Sequence, residues 1–87
     1  MSSSHADHVY DVQKVLGRAD ALMQRTLTLV NEADRLKVLC ALAVGGSRNT
    51  DAQLGTAMAD GFRGHLGVAR ETLSEVIEAF VRYRDSL

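Results

Sequence analysis

Leu36-Lys37-Val38-Leu39-Cys40-Ala41-Leu42-Ala43-Val44 contains seven consecutive apolar residues, Val38 to Val44, and offers water no polar face. Helical phase cannot be read from a block that is apolar all round, so burial is inferred from the missing polar residues. Crossing a bilayer takes about 20 apolar residues, which this run does not reach. It reads as the buried central helix of a small all-helical domain.

Toward the N-terminus, Val9, Val12, Leu16, Ala19, Met23, Thr26 and Val30 recur in steps of three and four. That is a heptad seam of positions a and d. Val15, Leu22 and Leu29 add a flanking row at position g, while Tyr10, Asp11, Lys14, Gly17, Arg18, Gln24 and Arg25 stand outside it. Ser4, with Asp7 three residues on, has the chemistry of a helix start: a hydroxyl to accept from first-turn amides and a carboxylate near the positive end of the dipole. The pattern predicts one long helix over residues 5–30, about 39 Å at 1.5 Å per residue.

Asn31 is the next cap candidate, with Asp34 three residues later, and predicts a second helix over 32–44 that Gly45-Gly46 closes. Thr50-Asp51-Ala52-Gln53 reads as a capping box for a third helix over 51–60. Gly61, Gly64 and Gly67 read as a flexible turn region before a fourth helix over 68–84. That last segment sets Leu73, Val76, Ile77, Phe80 and Val81 on one face and Arg70, Glu71, Glu75, Glu78, Arg82 and Arg84 on the other. No alternating strand pattern, internal repeat or low-complexity linker interrupts the chain. The expected fold is all-α: a four-helix small domain over residues 1–87, with three shorter helices packed on a long N-terminal one.

Composition narrows the function classes. A hydrophobic fraction of 46% excludes a disordered chain. Ten basic against eleven acidic residues leave a net charge of −1, without the positive excess that phosphate binding draws on, so a nucleic-acid partner is possible but not favoured. A single cysteine allows no intrachain disulfide, and its place in the most apolar run fits a reducing compartment. Met1 to Asp7 show neither a basic start nor an apolar core, so no signal peptide is read there. A cytoplasmic protein with no membrane partner is expected.

The residues that carry chemistry form no constellation. His5, Asp7, His8 and Asp11 bring only two imidazoles to a fraying end and read as a solvated polar start, not a metal site. Cys40 has no neighbouring cation or base to activate it as a nucleophile, and reads as a small buried apolar residue. His65 lies in the glycine-rich turn, and the pairs Glu71–Glu75 and Glu75–Glu78 share a solvated face. Residues 45–50 and 61–67 lack the Gly-x-x-x-x-Gly-Lys-Ser/Thr pattern and follow no strand. Neither catalytic residues nor a cofactor is therefore expected, and the chain does not read as an enzyme.

One stretch, Leu66-Gly67-Val68-Ala69-Arg70-Glu71-Thr72-Leu73-Ser74-Glu75-Val76-Ile77, resembles the turn and recognition helix of the Crp/Fnr transcription regulators. The resemblance implies a helix-turn-helix DNA-binding regulator using residues 66–82, preceded by a long dimerisation helix. It would set Arg70 and Glu71 at base edges and Thr72 and Ser74 near phosphates. This is the alternative functional reading.

The first reading is a small protein–protein interaction or regulatory subunit, homodimeric through its N-terminal helix. The first seam is longer than two short helices can cover, and closed two-fold dimers are the commonest oligomers. The expected interface is whatever part of Val9, Val12, Leu16, Ala19, Met23 and Val30 stays uncovered, offered to a second copy or to an amphipathic partner helix. A monomer whose first helix bends back at Gly17 is the competing arrangement.

Overall fold

The seam that opens at Val9 does not end at Val30. It continues through Ala33, Lys37, Cys40 and Val44 in the same alternation of three and four, and the backbone follows it. In the computed structural model, which describes residues 4–87, the chain is two α-helices, α1 (His5–Val44) and α2 (Thr50–Ser86). They fold back on one another as an antiparallel hairpin with extents of 65 × 20 × 16 Å.

Two long helices replace the four expected over 5–30, 32–44, 51–60 and 68–84, and each missing boundary has a physical reason. Asn31 and Glu32 are exposed on the outer side of α1, while Val30 and Ala33 on either side are buried against α2. A cap at Asn31 would break that burial and strand the amides and carbonyls of two new helix ends. Gly61, Gly64 and Gly67 all lie inside α2. A helical glycine costs about 1 kcal/mol relative to alanine. Breaking the helix there would remove Arg63 and Leu66 from the seam, and the unpaired ends would cost more.

The caps explain where the helices do stop. The Ser4 hydroxyl accepts from the Asp7 amide at 3.2 Å, and the Asp7 carboxylate accepts from the Ser4 amide at 3.3 Å, a reciprocal box of the expected kind. At α2 the cap is Asn49, not Thr50: its Oδ1 accepts from the amides of Asp51 and Ala52 at 2.9 and 3.1 Å. Gly45 and Gly46 have φ of 53° and 80°. This left-handed backbone closes α1 as expected, with the Gly45 amide donating to the Ala41 carbonyl at 3.1 Å.

On α2 the matching seam is Ala52, Thr56, Ala59, Arg63, Leu66, Leu73, Ile77 and Phe80, all buried or half-buried and interrupted once, at the exposed Arg70. The residues buried between the helices are Val12, Ala19, Thr26, Val30, Ala33 and Ala59. Small side chains let the backbones approach but cover little apolar surface. Thr26 fits the seam because its hydroxyl donates to the Leu22 carbonyl at 2.8 Å, leaving no polar group unpaired. The run Val38–Val44 is not a buried central helix either. It forms the last turns of α1, where Cys40 and Val44 are half-buried toward α2 and Leu42 stays 73% exposed. A compact chain of 87 residues would have a radius of gyration of about 12 Å; this one has 19.6 Å.

Candidate interaction surface

A two-helix seam leaves two flanks, and here they differ in chemistry. In an antiparallel pair the e positions of both helices share one flank and the g positions share the other. The e flank is mostly polar: Gln13, Asp20 and Asp34 from α1, with Gln53, Asp60 and Ser74 from α2, interrupted by Leu27 and Val81, both half-buried, and by Ala41 and Gly67. Both ion pairs between the helices lie on it. Lys37 and Arg63 leave the seam to meet carboxylates there, Lys37 Nζ at 3.5 Å from Asp60 Oδ1 and Arg63 Nε at 2.7 Å from Asp34 Oδ1. The methylene stems pack along the seam while the charged heads reach water.

The g flank is apolar along most of its length. On α1 it carries Val15, Leu22, Leu29 and Leu36, and on α2 Phe62, Ala69, Val76 and Tyr83, each row stepping by seven. The rows are neighbours: one open groove is lined by Val15, Ala19, Leu22, Leu73 and Val76, with Lys14 and Arg18 at its rim. Leu22, Leu29, Leu36, Phe62, Val76 and Tyr83 keep 36–48% of their surface in water. Completing the burial of such half-exposed side chains is worth about 1 kcal/mol each, and summed over the row it is a sizeable unused driving force. Near the turn the apolar character also reaches the outer positions, with Val38, Leu39, Leu42, Leu54 and Met58 exposed.

The residues expected at the interface lie elsewhere. Val9, Val12, Leu16, Ala19, Met23 and Val30 all belong to the seam between α1 and α2, with Val12, Ala19 and Val30 buried and the other three half-buried. The row beside them, Val15, Leu22 and Leu29, is the one left open. Its α2 counterpart was hidden in the sequence by the turn read at 61–67, which interrupts the seven-residue step from Phe62 to Ala69. The continuous spacing Phe62, Ala69, Val76, Tyr83 was the signal available.

Arg70, Glu71, Thr72 and Ser74 are exposed near the middle of α2, and no turn precedes them, so the helix-turn-helix implied over 66–82 is absent from the fold. Thr72 is occupied within its own helix, its hydroxyl donating to the Val68 carbonyl at 3.0 Å. Among the described residues no three His, Cys, Asp or Glu side chains converge as metal ligands, and no helix is long and apolar enough to cross a membrane. The chain matches no family model, no curated protein and no solved structure.

Proposed function

We propose that this chain is a protein–protein interaction subunit that acts as an assembled pair, using the apolar g flank of its hairpin. The observation that carries the reading is the contrast between flanks. Both helices repeat apolar residues every seven positions on one side, whereas six of the ten e positions on the other are polar and carry the ion pairs. A solvated rod has no use for such an asymmetry, whereas a helix layer that packs on another layer requires it. Covering the flank turns the two-helix layer into half of a four-helix bundle, the arrangement in which a/d seams widened by g positions are fully buried. The half-buried free thiol of Cys40 suits a cytoplasmic setting.

The test is light scattering during size exclusion, paired with circular dichroism. The wild-type chain elutes above its 9.4 kDa chain mass, and Leu22→Glu with Leu29→Glu returns it to that mass. The control pair Gln13→Ala and Asp20→Ala, on the e flank, leaves the assembly intact. A wild-type chain that stays at single-chain mass with full helicity and cooperative unfolding overturns the reading.

A further inference from the structure

We infer that the occupant of the g flank is a second copy of this chain lying in the same direction, so that both turns sit at one end of the bundle. The inference rests on the flank reading above and adds the orientation and register of the second copy. Within the hairpin, level positions of α1 and α2 have residue numbers that add to 97, as Lys37 with Asp60 and Asp34 with Arg63 show. A two-fold axis along the rod sets α1 against the partner's α2 at the same level, and that symmetry permits no sliding. The same sum therefore fixes every opposed pair to within one residue.

Those pairs match. The c positions, which border the g row and close over it, bring Leu39 opposite the partner's Met58 and Glu32 opposite the partner's His65. Arg25 then faces the partner's Thr72, and Arg18 the partner's Ala79. The apolar c residues Leu39 and Met58, 62% and 65% exposed in the lone hairpin, cover one another. Glu32 gains an imidazole N–H to accept from, and no like charges meet. In the g row, one residue further on, Leu36 faces the partner's Phe62, Leu22 the partner's Val76 and Val15 the partner's Tyr83.

The opposite orientation, with the turns at far ends and the rods fully overlapped, sets α1 against the partner's α1. Arg25 then meets the partner's Arg25 at the axis, and Leu39 is set against the partner's Asp11. The g row is apolar in this orientation too, so the c positions decide. The two-fold repeats both the pair of Arg18 with the partner's Glu32 and the contact of Leu39 with the partner's Asp11. Two solvent-exposed ion pairs do not offset a like-charge contact and two carboxylates set on apolar patches. The area suffices in either case: a flank 65 Å long and 16–20 Å wide is on the order of 1,000 Å² per copy, enough for a stable dimer.

The experiment is a pulsed dipolar distance measurement on the full chain carrying Cys40→Ala and Ser47→Cys, spin-labelled in the turn, with mass checked by light scattering. With both turns at one end the labels lie on the order of 10–20 Å apart, one or two helix diameters. With turns at opposite ends they lie near the full length of the rod, 65 Å. A dimer with the short distance, lost on adding Leu29→Glu, supports the inference. A dimer with the long distance overturns the orientation and leaves the flank reading standing, whereas a single-chain mass at every concentration overturns both. A dimer that survives Leu29→Glu with its distance unchanged places the contact on another face and also overturns the inference.

Discussion

Arg63 Nε lies 2.7 Å from Asp34 Oδ1, although Arg63 starts from the seam of α2 and Asp34 from the flank of α1. Lys37 and Asp60 repeat the relationship one turn nearer the loop with the helices exchanged. Each basic residue sits where a heptad would ordinarily carry an apolar side chain. Together they fix which residues of the two helices are level, because a slip of one heptad separates both cations from both carboxylates.

The energetic worth of the pair is small even so. Arg63 and Asp34 side chains are 28% and 53% exposed, and ion pairs with such access to water contribute about 0.2–1 kcal/mol. A double-mutant cycle on Asp34→Ala and Arg63→Ala, read from urea unfolding, is expected to give a coupling in that range that shrinks as salt is raised. A coupling well above it would mean that the pair is desolvated in the assembled protein.

Continuity of α2 can be tested at Gly64. Its backbone is helical and a Cβ there meets nothing within 4 Å. Gly64→Ala is therefore expected to stabilise the fold by roughly 0.5–1 kcal/mol, from helix propensity and a less flexible unfolded chain. A turn at this point would give the opposite sign. Gly45, at φ 53°, supplies the contrast: Gly45→Ala is expected to destabilise by about 1–2 kcal/mol, since an L side chain there meets its own carbonyl.

The narrowness of the seam is a further point of attack. Ala33 is 2% exposed, the most buried apolar residue in the core, and α2 runs directly against it. Ala33→Leu is expected to cost about 1–3 kcal/mol by forcing the helices apart. Thermal unfolding followed by circular dichroism would record the loss, and Ala21→Leu on the exposed outer side should leave the melting temperature nearly unchanged.

Asn49 holds the first turn of α2 through two amides. Asn49→Ala is expected to lower stability by about 1 kcal/mol, and Asn49→Ser to recover most of it, because a hydroxyl can accept in the same place. Thr50→Ala should be close to neutral, which separates the cap found in the structure from the one the sequence suggested.

The helical class, the start at Ser4, the glycine turn after Val44 and the seam of α1 from Val9 to Val30 were all legible in the residues. Each rests on local chemistry: a capping hydroxyl, a left-handed glycine, a three–four alternation. The error came where a local signal competed with a long-range one. Asn31 has a cap's side chain and Gly61, Gly64 and Gly67 have a turn's flexibility, but the a/d phase passes through both places unbroken. It runs Val30, Ala33, Lys37 on α1 and Ala59, Arg63, Leu66 on α2, with polar stems at Lys37 and Arg63 that disguise it as surface. Packing along helices of 40 and 37 residues outweighed propensity at one position of α1 and three of α2. Placing the open row at Val15, Leu22 and Leu29 rather than in the seam itself required knowing that α2 is long enough to cover the seam from end to end.

The unequal flanks of the hairpin also set a limit on growth. A rod that was sticky on both sides would recruit neighbour after neighbour and lengthen into sheets or fibres. With charge and ion pairs along most of one side, a mate docked on the g flank leaves no second unbroken apolar row from end to end, so assembly through that row closes at a finite, self-complementary size.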